Sequence, residues 1–399
     1  MGHSAYRKFI VLNFAYGTGP YLRCLDLALA FNQELQVRGR ERLGIIVPWV
    51  YGEKQKSIIC QEFFAHDKRY PGEILFDRRL GSILKSVFYS GSKYEKVLEK
   101  WASNVRVISA KANRHLSGVL DLETIIGEKV RIKGENIVVE LSRSPRIRYE
   151  VAPAYFTSFG YLGEILERSR NVRKGLIDVK PSLLKEGSKA ADWVEGSYRL
   201  HCLSYPATFT SLNLSLGDDS KRYYKDEIIV PPIGPTPKLN EKIIAPGIFV
   251  TISGVSGLKR LYKEAKKLGV AIYSNDVKSA LGSIRSLPDL ISNNNIIFQF
   301  ARAGWSSVWL SMIVGTPLVV PSFDPKDDPE IYWNNKAVEE LGIGIVYRGQ
   351  CFDKLMGQVV GIRRKQVAIK ERILKKWGTL NGLVVCAKIF VDDFLRGEL

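Results

Sequence analysis

The residue types best suited to bind an anion follow a short apolar run in the second half of the sequence. This run, Ile296–Phe300, has the composition of a buried strand, and a helix is predicted to begin shortly after it. Arg302, Gly304, Ser306 and Ser307 lie at that helix start. The first amides of a helix carry partial positive charge and bind phosphate well, and glycine lets an anion approach the backbone. The serine hydroxyls can donate to a diphosphate, or they can cap an ordinary helix without a ligand.

A longer pattern surrounds this helix start. Residues 300–344 read FARAGWSSVWLSMIVGTPLVVPSFDPKDDPEIYWNNKAVEELGIG. The order Gly-Trp-x-Ser, helix, Gly-x-Pro, apolar strand, acidic residues, Asn and Leu-Gly-x-Gly resembles the C-terminal donor motif of GT-B glycosyltransferases. The nearest likenesses are the UDP-glycosyltransferase superfamily and the lipid-linked N-acetylglucosaminyltransferase of peptidoglycan synthesis. The rest of the chain is similar to these families in layout only.

The resemblance implies a function and a set of site residues. It implies transfer of a sugar from a nucleotide-diphosphate donor, most simply a UDP-sugar, to an acceptor hydroxyl. The donor is the co-substrate, and neither a further cofactor nor a metal ion is expected, because Arg302 and the helix start can stabilise the departing diphosphate. The matched residues are Gly304, Trp305, Ser306 and Ser307 for the diphosphate turn, and Gly315, Pro317, Asn334 and residues 342–344 for the remainder.

The motif departs from the family at two places. The family's glutamate, which holds the donor ribose, is replaced by Leu310. The family's Asp-Gln pair, which contacts the sugar, falls on Glu330 and Ile331. Glu330 can substitute for the aspartate with Asp327 or Asp328 as a neighbour, and a solvated acidic loop is the alternative.

A second donor-binding turn is predicted at the start of the same domain. Gly254, Ser256 and Gly257 follow an apolar strand and precede a helix with Lys259 and Arg260. In GT-B enzymes the matching turn lies against the donor phosphates or the cleft. A plain strand-to-helix turn is an equally good interpretation, since glycine-serine turns are common.

The N-terminal domain is expected to bind the acceptor at its first turn, which contains Gly17, Thr18 and Gly19. Inverting members of the family often have a catalytic histidine there, but Pro20 takes that position. The remaining candidates for the base are Asp26 and Glu164. The helical position of Asp26 favours a surface or capping role over a catalytic one. Inversion is favoured because the pair of glutamates eight residues apart that retaining enzymes share is not found near residue 304.

Strands that alternate with helices predict two Rossmann-like α/β domains facing across a cleft, the GT-B arrangement. We expect an acceptor domain at residues 1–236, a nucleotide-sugar domain at 237–380 and a closing helix at 381–399. Strands are predicted at residues 8–15, 42–49, 105–109, 137–142, 247–253, 270–274, 296–300, 317–321 and 344–347.

Composition limits the class of protein. A chain of 399 residues is longer than a single hydrophobic core usually serves, which predicts two domains. Its 45% apolar and 25% charged residues are typical of globular proteins. No apolar window is long enough to span a bilayer, which predicts a cytoplasmic protein. The five cysteines are scattered without the spacing of a metal site, so we expect reduced thiols.

The formal charge of +18 indicates an anionic partner. Residues 78–114 hold nine lysines and arginines beside an apolar helical stripe of Leu80, Ile83, Leu84, Val87 and Phe88. This pattern is typical of a peripheral contact with the inner membrane face, or of a helix packed on the core with a solvated basic face. Alternative functions are a nucleotide-sugar epimerase with the same fold and a nucleic-acid-binding protein, although no nucleic-acid-binding signature is found.

Overall fold

The structure is a computed structural model, and it describes residues 6–15, 17–87, 93–209, 222–234, 237, 239–251, 258–275, 280 and 282–397. The chain divides into two compact units. The first comprises residues 1–204, 219–230 and 383–399, and the second comprises residues 205–218 and 231–382. The predicted boundary falls after residue 236, whereas the contacts assign the stretch around residue 208 to the second unit.

The first unit is built on one large sheet. Its strands are β1 (Phe9–Phe14), β2 (Gly44–Pro48), β3 (Ile74–Asp77), β4 (Val119–Thr124), β5 (Lys129–Lys133), β6 (Ile137–Arg143), β7 (Ala154–Ser158), β8 (Leu200–Ser204) and β9 (Glu227–Val230). The order is β5-β4-β3-β2-β1-β6-β7-β8-β9. All neighbours pair in parallel except β4, which is antiparallel to both β3 and β5. The central strands β1, β2 and β3 are buried along their whole length, which explains their continuous apolar sequences.

Six helices of the described residues connect these strands. They are α1 (Thr18–Val37), α2 (Glu53–Arg69), α3 (Arg78–Lys85), α4 (Tyr94–Leu116), α5 (Leu162–Ser169) and α6 (Pro181–Glu195). The strand predicted at residues 105–109 is wrong, because this stretch lies in α4. Leu98, Trp101, Val105, Ile108 and Ala112 are its buried residues, and their spacing of three and four is helical.

The second unit contains a smaller sheet and its own helices. The elements are β10 (Gly247–Val250), α7 (Leu258–Lys267), β11 (Ala271–Ser274), β12 (Ile284–Arg285), β13 (Ile296–Phe300), α8 (Trp305–Val314), β14 (Leu318–Pro321), α9 (Pro329–Leu341), β15 (Gly344–Tyr347) and α10 (Phe352–Trp377). The strand order is β12-β11-β10-β13-β14-β15, and every pair is parallel. Because parallel strands end at one edge, β10 and β13 both end at the edge where ligands bind in such sheets.

The last helix, α11 (Gly382–Gly397), returns to the first unit. Its Phe390 ring stacks on Tyr155 of β7 at a centroid distance of 4.8 Å, and its Asp393 accepts a hydrogen bond from the Tyr155 hydroxyl at 2.9 Å. Together with the two parallel-sheet units, this helix confirms the predicted fold class.

A buried carboxyl group lies inside the first sheet. Oε1 of Glu140, on β6, accepts hydrogen bonds from Asn13 Nδ2 at 2.9 Å and from the Tyr198 hydroxyl at 2.6 Å. Burial raises the pKa of Glu140 to about 7, and these two hydrogen bonds offset only part of that effect.

We therefore expect stability to fall with rising pH through this group. Below the ordinary pKa of 4.5 the carboxyl is neutral in both the folded and the unfolded state. As the pH rises toward 7 only the unfolded state ionises freely, so the stabilising contribution is lost by an amount on the order of 3 kcal/mol. Urea unfolding between pH 4.5 and 7.5 measures this slope. Glu140→Gln should flatten it, and the exposed control Glu128→Gln should not; equal slopes in all three proteins would contradict the assignment.

Candidate functional site

The start of α8 presents free backbone donors. Gly304, the residue before the helix, has φ −76° and ψ 134°, and no side chain caps the helix. The amides of Ser307 and Val308 donate to the Gly304 carbonyl at 2.9 and 3.1 Å. The amides of Trp305 and Ser306 have no partner among the residues that the structure describes. These two donors, rather than the amide of Ser307, form the positive end of the helix.

No described residue fills the position that a side chain on Gly304 would take. A Cβ built on Gly304 would meet nothing within 4 Å. Ser306 is exposed and Ser307 is half-buried, and neither hydroxyl bonds to another described residue. Two amides and two hydroxyls without a described partner therefore lie together at one helix start, which is the arrangement that binds phosphate.

Trp305 holds this turn in place from below. The residue is 1% exposed, and its indole N–H donates to Thr208 Oγ1 at 2.8 Å and to Asn334 Oδ1 at 2.9 Å. The Thr208 hydroxyl donates to the same Asn334 oxygen at 2.7 Å. Trp305, predicted to bind the donor, can thus offer a ligand its backbone amide only, because its ring is in the core.

The contribution of residues 205–209 was not foreseen from the sequence. Besides Thr208, the Pro206 carbonyl accepts a hydrogen bond from the Trp309 indole N–H at 2.7 Å. Both contacts join positions about a hundred residues apart, and a threonine in a loop carries no local signal of them. The stretch fixes both tryptophans of α8 within the second unit.

The predicted acidic residues gather near the same helix start. Arg302 has a side chain that is 52% exposed and forms an ion pair with Asp327. Asp328 caps α9, because its side chain accepts from the Glu330 amide at 2.9 Å. Glu330 Oε1 in turn accepts from Asn334 Nδ2 at 3.3 Å. The contacts of Asn334 therefore link Glu330 to the turn at Trp305.

Three other predictions concern the donor site: the position of Leu310, the second donor-binding turn and the absence of a metal ion. Leu310, at the register of the family's ribose-binding glutamate, packs on the apolar cluster around Phe249 and Tyr273. Gly254, Ser256 and Gly257 lie outside the described residues. No group of three His, Cys, Asp or Glu side chains in the described ranges is arranged to hold a metal ion. Metal independence stays a prediction.

In the first unit the predicted acceptor turn follows β1. The Gly17 amide donates to the Tyr51 hydroxyl at 2.6 Å, and Gly17 adopts φ 116°, a conformation that favours glycine. A Cβ at Gly19, in the first turn of α1, would meet nothing within 4 Å. Thr18 is the first residue of α1, and the structure describes its backbone only.

The two candidate bases, Asp26 and Glu164, differ in their position relative to the carboxyl edge of the first sheet. Asp26 lies eight residues after Thr18 on α1, about 12 Å from the helix start, and pairs with Arg23 at 2.6 Å. Glu164 is in the first turn of α5, directly after β7, and pairs with Arg168 at 2.6 Å. Burial raises the pKa of both carboxyls against the attraction of these arginines. Glu164 alone is at the carboxyl edge of the sheet.

The described histidines occupy hydrogen-bonded positions away from the first turn. His66 contacts Glu73 at 2.8 Å, and His115 contacts Asp77 at the same distance. His201 bonds to the Glu195 carbonyl at 2.8 Å and stacks on Tyr224. None of these contacts supplies a base at the first turn.

The basic segment 78–114 packs its apolar stripe inward. Leu80 and Leu84 are fully buried, Val87 is buried, and Phe88 lies outside the described residues. The Trp101 indole donates to the Arg146 carbonyl at 2.7 Å. The buried part of the stripe is not available to a lipid surface, so membrane contact stays a prediction for the basic face alone, testable by sedimentation with anionic liposomes. None of the helices described has both the length and the apolar composition to cross a bilayer.

Solved structures provide the comparison. LpCGTa in complex with UDP superposes with a TM-score of 0.56 at 13% identity, covering 97% of this chain and 99% of that one. The calicheamicin glycosyltransferase CalG4 gives 0.55 at 13% identity, covering 98% of both chains. UGT2 of Phytolacca americana, complexed with UDP-2fluoro-glucose and pterostilbene, gives 0.53 at 10% identity, covering 97% and 99%.

No protein-family model matches this chain, and a comparison with curated protein sequences finds no match. The structural likeness supports the part of the predicted resemblance that concerns UDP-glycosyltransferases, and it does not show the part that concerns peptidoglycan synthesis. The chain has the fold of the GT-B glycosyltransferases.

Proposed function

We propose that this protein transfers a sugar from a nucleotide-diphosphate donor, a UDP-sugar, to an acceptor hydroxyl. The observation that carries the proposal is the start of α8, where the amides of Trp305 and Ser306 have no partner among the described residues and a Cβ on Gly304 would meet none of these residues within 4 Å. Two structural neighbours support the choice of nucleotide, since one is a complex with UDP and another with UDP-2fluoro-glucose.

The charges around this helix suit the leaving group. Breaking the bond between sugar and diphosphate builds negative charge on the diphosphate, and donors already in place stabilise it without reorganisation. The α8 amides, the Ser306 and Ser307 hydroxyls and the exposed Arg302 guanidinium would supply these donors. Arg302 is held near the turn by Asp327, so part of its charge is offset until an anion binds.

Glu330 is the proposed contact for the sugar hydroxyls. Its carboxylate lies in the first turn of α9 and is linked to the phosphate turn through Asn334. Carboxylates accept hydrogen bonds from hydroxyl groups and are suited to this task. With an inverting displacement, a separate base must take the acceptor proton.

Glu164 is the residue we expect to act as that base. Its position at the start of α5 and its raised pKa are typical of a general base. Glu164→Gln should lower kcat by about a hundredfold or more with a much smaller change in UDP affinity. Glu167→Gln, a half-exposed carboxylate on the same helix paired with Arg170, is the matched control. Transfer to the best substrate of a phenol panel gives the rates; a larger loss in Asp26→Asn than in Glu164→Gln would move the role to Asp26.

A thermal-shift panel tests the proposal as a whole. A ligand that binds the folded state raises the melting temperature with its occupancy. We expect UDP and UDP-sugars to raise it, and uridine to leave it nearly unchanged. A single-stranded oligonucleotide is the comparison, because the charge of +18 also attracts nucleic acid. A shift with the oligonucleotide and none with UDP would refute the proposed function.

A further inference from the structure

An aromatic and basic cluster lies at the carboxyl ends of β2 and β3, outside the residues assigned to any step so far. Trp49 follows β2 and Arg78 follows β3, and the two ends are held side by side by the hydrogen bond from the Trp49 amide to the Asp77 carbonyl at 2.9 Å. The Arg78 guanidinium carbon lies 4.0 Å from the centroid of the Trp49 ring. Lys56 Nζ lies 5.6 Å from the same centroid. Both cations are thus within reach of the ring's π-system.

The cluster is rigid at its base. The Phe76 ring packs on Trp49 at a centroid distance of 5.4 Å. A Cβ at Gly81 would overlap the Trp49 backbone, so only glycine lets α3 approach the end of β2 this closely. Trp49 is buried, whereas the Arg78 side chain is 61% exposed. The guanidinium is therefore held over a fixed ring and remains open to solvent.

The cluster has more positive than negative charge. Lys56, Arg78 and Lys129 all contact the carboxylate of Glu123, at 2.9, 3.0 and 2.6 Å. Burial alone would raise the pKa of Glu123, but the hydrogen bonds from Lys129 and Lys56 and the nearby cations outweigh it and lower the pKa to about 2. One ionised carboxylate offsets one of the three cations. The remaining positive charge can bind an anion.

The cluster adjoins the predicted acceptor turn. Tyr51, two residues beyond Trp49, accepts a hydrogen bond from the Gly17 amide at 2.6 Å. The Tyr51 ring also lies 5.7 Å from the Tyr21 ring of α1. The helices α1, α2 and α3 all begin at this edge, and their positive ends add to the charge of the arginine and lysine. Negative charge is favoured along the edge from the acceptor turn to Arg78.

We propose that the acceptor carries an anionic group, a carboxylate or a phosphate, and that Arg78 and Lys56 bind it beside Trp49. This inference rests on the proposed function, because it assigns the substrate class of the same enzyme. A membrane phospholipid fits less well, since the apolar stripe of α3 beside Arg78 is turned into the core. A small aromatic or polar acid is the class of acceptor that these side chains recognise.

The test compares two phenols that differ in one charge. Calorimetry of the full chain with 4-hydroxybenzoate and with its neutral methyl ester should show the acid bound about tenfold tighter or better, as a charge-assisted hydrogen bond provides. Arg78→Gln and Lys56→Gln should each reduce this preference, and added salt should weaken it. The matched control is Arg131→Gln, at an exposed arginine on the edge strand β5. Arg131 pairs with Asp121 of β4, and this variant should keep the preference.

Equal affinity for acid and ester, or a preference that survives both substitutions, would overturn the inference. Titration of the same proteins with UDP separates this result from the proposed function. If the unaltered chain binds UDP but shows no preference for the acid, the proposal of an anionic acceptor is refuted and the proposed glycosyltransferase function stands. If the unaltered chain does not bind UDP, the proposed function itself is refuted.

Discussion

Leucine at position 304 should abolish binding of UDP and leave the protein folded. The backbone at Gly304 has φ −76°, which any residue can adopt, and a Cβ there meets nothing within 4 Å. The larger side chain would occupy the space in front of the Trp305 and Ser306 amides, where the diphosphate is expected. Loss of at least about a hundredfold in affinity corresponds to removing two charge-assisted hydrogen bonds. Calorimetric titration with UDP measures it.

The second unit offers a matched control for this substitution. Gly361 lies on the exposed face of α10, and a Cβ there also meets nothing within 4 Å. Gly361→Leu should leave the UDP affinity unchanged. Gly304→Leu should lower the free energy of unfolding by no more than about 1 kcal/mol, the usual cost of replacing a glycine at a helix start. Tight UDP binding by Gly304→Leu would place the diphosphate elsewhere.

Removing the side chain of Asn334 should cause a large loss of stability in the second unit. Its Oδ1 atom is the common acceptor for the Trp305 indole and the Thr208 hydroxyl, and the residue is fully buried. Asn334→Ala would take this acceptor from the buried Thr208 hydroxyl and leave the Trp305 indole with Thr208 Oγ1 alone, at a cost of about 1 to 3 kcal/mol. Urea unfolding followed by tryptophan fluorescence measures the loss.

The neighbouring residue provides the control. Asn335 is also buried, and its Nδ2 donates to the Pro321 carbonyl at 2.9 Å. Asn335→Ala removes this one side-chain donor and should cost about 1 kcal/mol. Thr208→Val should fall between the two, since Asn334 can still accept from Trp305. If Asn334→Ala were no more destabilising than Asn335→Ala, the network would not be what holds the phosphate turn.

Most strands of the second unit could be predicted because they are short apolar runs bounded by turn residues, whereas the exposed two-residue strand β12 was not predicted. The prediction for residues 344–347 coincides with β15, and those for 270–274 and 317–321 differ from β11 and β14 by one residue at the start. Parallel strands covered by helices give this signal directly. The failure at residues 105–109 has the same origin: a five-residue stretch of a buried helix, here with apolar Val105, Val107 and Ile108, is indistinguishable from a strand until the longer periodicity is read.

The donor turn could be located from the sequence, but the origin of its rigidity could not. Glycine and serine at a helix start identify the free amides. The contacts that fix Trp305 join it to Thr208 and Asn334, 97 and 29 residues away in sequence. Such pairings arise from the tertiary fold and leave no pattern in the local sequence. The ion pair of Arg302 with Asp327 likewise depends on the tertiary fold, although both residues belong to the predicted motif.

The acceptor side was less accessible to sequence reasoning. Residue type near a turn was the basis for predicting Asp26 and Glu164 as catalytic bases. The structure distinguishes the two by position, because Glu164 lies at the carboxyl edge of the sheet and Asp26 lies further along α1. Trp49 and Arg78 could not be predicted as a pair from the sequence, because it is the pairing of β2 with β3 that brings them together. Long-range register, rather than local composition, determines that edge.

The central claim is that the backbone at the start of α8 binds a diphosphate. Hydrogen–deuterium exchange of the full chain tests it most directly, because exchange reports on the amides themselves. UDP should slow exchange in peptides that cover residues 304–308, and uridine, which lacks the phosphates, should not. Unchanged exchange across these residues at saturating UDP would contradict the account.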